Sequence, residues 1–87
     1  MGDQNKAGQT SKADIDRKIS DLCHAIELNP KNGGAYRERG LQYIHLGNFD
    51  RALSDLDQAI SLNPRDPHAY YYRGYIFRIR KEGKKQL

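Results

Sequence analysis

The sequence predicts an all-α fold, built from antiparallel helix hairpins stacked side by side. Three observations carry that expectation. Residues 25–40, AIELNPKNGGAYRERG, return as residues 59–74, AISLNPRDPHAYYYRG, with nine of sixteen positions identical at a spacing of 34 residues. Apolar residues recur at steps of three and four, the period that gathers them on one face of a helix. Asn-Pro and Gly-Asn pairs divide the chain between these stretches, where helix stop and start signals belong.

The first helix is expected over about 14–28, where Ile15, Ile19, Leu22 and Ile26 share one face. It ends at Asn29-Pro30, because the proline ring disfavours helical geometry in the residue before it. A second helix, 33–46, opens after Asn32 and closes at Gly47, since glycine accepts the left-handed conformation past a helix end. Asn48 caps a third, 48–62, whose stripe is Phe49, Ala52, Leu53, Leu56, Ala59 and Ile60. Asn63-Pro64 stops that one. Asp66-Pro67 then starts a fourth, 67–81, with a side-chain acceptor at the cap and a preset φ at the first helical position. Residues 1–10 are polar and glycine-containing, and disorder is expected for them. Gly40 and Gly74 fall inside helices, where each costs roughly 1 kcal/mol relative to Ala, so close approach of a neighbouring helix is expected at both. Across from Gly40 stand the small residues Ala52 and Ala59.

Composition narrows the function. At 87 residues this is one small domain, near the size where burial barely offsets ordering entropy. One cysteine, Cys23, leaves no internal disulfide framework, and the first residues hold no apolar stretch suited to a signal peptide or membrane span. A soluble, cytoplasmic protein without membrane contact is expected. The net charge of +4 is local: residues 1–77 carry ten Lys/Arg and ten Asp/Glu, while residues 78–87 carry five Lys/Arg against Glu82 alone. A charge-balanced body argues against a phosphate-tracking face, so nucleic acid is the alternative partner only, through the basic tail 82–87 with stacking tyrosines.

Candidates for chemistry are few. His24, His45 and His68 share neither a helix nor a metal-ligand spacing, so no metal site or cofactor is expected. Cys23 has no base placed by sequence to activate it. Asp14, Asp16, Asp21, Asp55 and Asp57 alternate with Arg17, Lys18 and Arg51 as a solvated surface does. No Gly-rich phosphate loop is present. No catalytic residue is expected.

The 34-residue period, with an aromatic, then Gly, then Tyr on one helix and Ala, a large apolar residue, Ala and Pro on the next, resembles the tetratricopeptide repeat. Residues 33–66 supply Tyr36, Gly40, Tyr43, Ala52, Leu56, Ala59 and Pro64. Tyr36 replaces the usual Trp, and Arg39 and Arg73 replace the Leu before the glycine. Residues 14–32 match only a second (B) helix and 67–81 only a first (A) helix. The resemblance implies a short right-handed α-solenoid in the order B-A-B-A over residues 11–81, one full repeat between two half repeats. Lys18 stands where Ala52 stands one period later, at the position that packs on the A helix of its own repeat.

It also implies protein binding, on the inner wall that A helices form in this family. Tyr71, Tyr75 and Arg78 on the fourth helix, with Arg37, Leu41, Ile44 and His45 on the second, would make an aromatic and apolar groove with basic points, suited to a peptide or protein partner. Alternatively, Tyr71 and Tyr75 pack on neighbouring helices. Family members that grip a chaperone's C-terminal carboxylate use Lys, Asn and Arg on successive A helices. Here Leu41 and Tyr72 stand where the two Asn would be, so that activity is not expected. Tyr70, Gly74 and Phe77 face the place of a further B helix, which predicts self-association, either as a two-fold homodimer or by exchange of helices, the alternative being a monomer whose tail folds back or a piece of a longer array.

Overall fold

The computed structural model describes residues 11–85, with side chains through Lys81, as four α-helices: α1 (Lys12–Leu28), α2 (Gly33–His45), α3 (Phe49–Leu62) and α4 (Pro67–Lys85). The expected disordered segment 1–10 lies outside the described residues, as do the side chains of the basic tail 82–87.

Side-chain caps set the helix starts. Ser11 Oγ accepts the Asp14 N–H at 3.1 Å, so α1 begins at Lys12 rather than Asp14. Asn32 and Asn48 do the same for Ala35 and Arg51, at 3.0 and 3.3 Å. Asp66 Oδ1 accepts from both His68 and Ala69 at the head of α4. The two Asn-Pro stops are copies of one another. Asn29 and Asn63 leave the helix at φ −147° and −142°, each donates its own N–H back to Ala25 or Ala59, and each side chain then accepts from Lys31 or Arg65. Gly47, at φ +76°, turns the chain between α2 and α3. No comparable stop follows residue 81, and Lys and Glu are good helix formers, so α4 continues to Lys85.

Each helix packs on the next in sequence, α2 against α3 most extensively, and α2 also touches α4. Ala52, Leu56, Ala59, Ala69 and Ile76 are fully buried where α2, α3 and α4 meet, with Tyr36, Tyr43, Ile44, Phe49, Leu53, Ile60 and Tyr72 packed around them. Gly40 is the point of closest approach: a Cβ there would lie 3.0 Å from Leu56 Cγ and 3.3 Å from the Ala52 carbonyl oxygen. The expectation of close contact does not hold at Gly74, where an added Cβ would meet nothing within 4 Å. Gly74 occupies the same repeat position on α4, but no described helix covers that face.

Candidate functional site

The residue before each glycine has a physical role that an apolar side chain could not fill. Arg39 places Nε and Nη2 on the Asp55 carboxylate at 2.8 and 2.7 Å, a two-pronged grip of α2 on α3. Its Nη1 donates to Cys23 Sγ of α1 at 3.3 Å, and its plane lies over the Tyr36 ring. The Asp55 carboxylate, itself buried, raises Arg39 above the ordinary guanidinium value, so the guanidinium stays charged. Arg73 repeats part of this, lying over Tyr70 and donating Nη1 to Asp57 at 3.0 Å. Cys23 and Asp57 are 34 residues apart, so both contacts are one contact made twice.

A second ion pair joins the A-type helices. Arg37 Nη1 donates to Asp66 Oδ2 at 2.8 Å while Nη2 reaches Glu38 at 3.1 Å. Asp66 is buried, which pushes its carboxyl up, but the Arg37 guanidinium and the N–H groups of His68 and Ala69 outweigh that and hold it below the usual carboxylate range. One carboxylate therefore caps α4 with one oxygen and anchors it to α2 with the other.

Between α2 and α4 a shallow groove of about 180 Å³ opens, lined by Leu41, Ile44, His45, Tyr71, Tyr72 and Tyr75. It brings together five of the seven residues expected to bind a partner. Tyr71 is 65% exposed and Tyr75 37%, so both present aromatic surface at the groove. Arg37 is not among the lining residues. Its guanidinium is committed to Asp66 and Glu38, a use that helix periodicity alone does not reveal. Arg78 is exposed on α4, beyond the groove. Sequence reasoning missed Tyr72, which stands three residues before Tyr75 and therefore shares its face. Its ring meets Tyr71 edge-on, centroids 5.8 Å apart, and stacks on His68 at 6.4 Å. Half-buried against the core, Tyr72 forms the floor on which the two more exposed tyrosines stand.

The groove is thus aromatic and apolar with phenol hydroxyls and one imidazole, and carries none of the basic points expected from Arg37 and Arg78. Among the described residues no group of three His, Cys, Asp or Glu is placed to hold a metal ion, and no helix is long and apolar enough to cross a membrane. Tyr70, Gly74 and Phe77, the residues expected to self-associate, lie outside the groove lining on α4, with Tyr70 42% and Phe77 53% exposed. The profile described as tetratricopeptide repeat matches residues 6–73, most of the chain. No individual curated protein matches it.

Proposed function

The chain belongs to the tetratricopeptide repeat family, a non-catalytic protein-interaction scaffold, and from that premise we propose that it binds a peptide or protein partner in the groove between α2 and α4. The observation that carries this reading is the cluster of Tyr71, Tyr72 and Tyr75 facing Leu41, Ile44 and His45 across an open groove. Tyrosines supply large, stiff contact area with a polar tip, the chemistry of interface anchors. The engagement of Arg37 with Asp66 favours a partner that brings apolar or aromatic side chains over one recognised by acidic charge. The repeat layout that goes with this function is one full repeat, 33–66, between half repeats 14–32 and 67–81.

The test is a peptide library displayed against the immobilised chain, followed by titration of recovered peptides. Tyr71→Ala and Tyr75→Ala should each weaken binding by about 2 kcal/mol, roughly thirtyfold, as anchors do. Asp57→Ala, on the outward side of α3, should change it little. Equal losses from all three would remove the groove from consideration.

Self-association is the second part of the proposal. Tyr70, Gly74 and Phe77 leave an aromatic face on α4 whose counterpart on α2, Tyr36, Gly40 and Tyr43, is covered by α3. Burying that face in a homo-oligomer would recover about 25 cal/mol for each Å² of apolar surface.

A further inference from the structure

The two ends of the helical stack carry opposite halves of a contact that the chain already makes once inside itself. In the α2–α3 pair, Leu56 fills the hollow over Gly40 and Arg39 grips Asp55. Move 34 residues forward on the α2 side, and Tyr36, Arg39, Gly40 and Tyr43 become Tyr70, Arg73, Gly74 and Phe77 of α4. Move 34 back on the α3 side, and Asp55, Leu56, Ala59 and Leu62 become Asp21, Leu22, Ala25 and Leu28 of α1. Neither half meets its complement among the described residues. The hollow over Gly74 is open. Arg73 uses Nη1 on Asp57, but the edge that corresponds to the Asp55-gripping side of Arg39 has no acceptor among them. On α1, Asp21 and Leu22 border an open cavity of about 280 Å³ shared with Lys18, Glu38 and Gln42. Leu28, whose repeat equivalent Leu62 packs on Gly33, is 76% exposed.

We propose that α4 of one copy docks on α1 of the next, head to tail, rebuilding the α2–α3 contact between chains. The inference rests on the self-association reading and supplies its geometry. Arg73 takes Asp21 of the next copy as Arg39 takes Asp55, and Leu22 of that copy fills the hollow over Gly74. The same offset acts on the α2–α4 groove, which Ile44 lines from α2 and Tyr72 from α4. It brings Arg78 of the incoming α4 beside Glu38, the residue 34 positions before Tyr72. Charge complementarity therefore selects this occupant twice. A two-fold pairing of α4 with α4 would instead set Arg73 against Arg73 and leave the hollow without a leucine. Because the two contacting surfaces are different, the interface is heterologous and growth is open-ended unless a ring closes. Lys18 is the weak point of the seam, replacing the fully buried Ala52. Its ammonium must reach water past the docked helix, which keeps the association reversible.

The decisive experiment uses one variant for each half. Gly74→Gln blocks the α4 half with a helix-compatible side chain, and Asp21→Arg sets like charges against Arg73 on the α1 half. Both positions are exposed in the single chain, and circular dichroism checks that each variant keeps its helix. Sedimentation equilibrium of the wild-type chain should show a weight-average mass rising with concentration past twice 10.0 kDa. Each variant alone should stay at 10.0 kDa. An equimolar mixture should stop at a 1:1 pair, since only one good half remains on each chain. A dimer that Gly74→Gln dissociates and Asp21→Arg leaves intact would overturn the head-to-tail mode while keeping self-association through α4. A wild-type mass fixed at 10.0 kDa from micromolar to millimolar would overturn self-association and this geometry together.

Discussion

Gly40 and Gly74 occupy one repeat position, yet substitution to alanine should move stability in opposite directions. Both lie in helix interiors, where Gly→Ala gains roughly 1 kcal/mol of helix propensity and lost unfolded-state entropy. At Gly74 that gain stands alone, because the new Cβ meets nothing within 4 Å. At Gly40 the Cβ would lie 3.0 and 3.1 Å from two carbons of Leu56 and 3.3 Å from the Ala52 carbonyl oxygen. Leu56 is fully buried and cannot move aside into solvent, and the carbonyl belongs to the α3 backbone. Overpacking of this kind costs about 1–3 kcal/mol, so the net effect at Gly40 is a loss of up to about 2 kcal/mol. For a domain of this size 1 kcal/mol corresponds to about 4–8 °C in Tm. Thermal and urea unfolding followed by circular dichroism, in the Asp21→Arg background to hold the chain as a monomer, should place Gly74→Ala above the parent and Gly40→Ala below it. If Gly40→Ala stabilised the chain as much as Gly74→Ala, the close approach of α2 and α3 could not be what glycine serves there.

Other perturbations reach different contacts. Asp66→Ala removes the cap of α4 and the Arg37 partner together, about 2–4 kcal/mol from a cap and a charge-assisted hydrogen bond, whereas Asp66→Asn keeps the cap and should lose less in denaturant titration. The folded carboxyl of Asp66 lies below its unfolded value, so its contribution is full above the ordinary aspartate range near pH 4 and is lost as pH falls through the lower folded value. Arg37→Gln should therefore flatten the acid limb of the stability curve, and an acid limb unchanged by it would count against the pair. Lys18→Ala restores the small residue of the α3 copy and spares the ordering of a long side chain. It should tighten head-to-tail association by roughly tenfold in sedimentation, with no tightening if the seam lies elsewhere.

What the sequence made legible was whatever depends on local chemistry repeated along the chain. The helix count, the Asn-Pro stops, the Gly47 turn and the stripe of Ala52, Leu56 and Ala59 all follow from spacing and caps, and the structure has them. Five groove residues were reachable through the family resemblance, which assigns the inner wall to the A-type helices. Arg37 was not, because its partner Asp66 is 29 residues away and is identified by sequence as a cap, not as an ion-pair acceptor. Gly74 was not either, since the signal for close approach records the repeat position and not whether a neighbour is present. Tyr72 follows neither the repeat face of Tyr70 nor the four-residue step from Tyr71 to Tyr75, although its own three-residue step to Tyr75 marks the groove equally well.

The internal repeat separates stacking from recognition. Positions that join one helix to the next are the ones the chain says twice: Tyr36 and Tyr70, Arg39 and Arg73, Gly40 and Gly74, Asp21 and Asp55, Leu22 and Leu56. Residues that line the groove differ from their repeat equivalents: Tyr71 from Arg37, Tyr72 from Glu38, Leu41 from Tyr75, Ile44 from Arg78. A residue that must fit the same helical neighbour at every step admits one solution, whereas an open groove constrains the residue only through what binds there. On this logic the exposed pair Tyr71 and Tyr75 is not required by the stack, which of the three groove tyrosines packs only Tyr72 against its core. Its cost is exposed aromatic surface on a small domain, and occupancy of the groove by a partner is what would offset that cost.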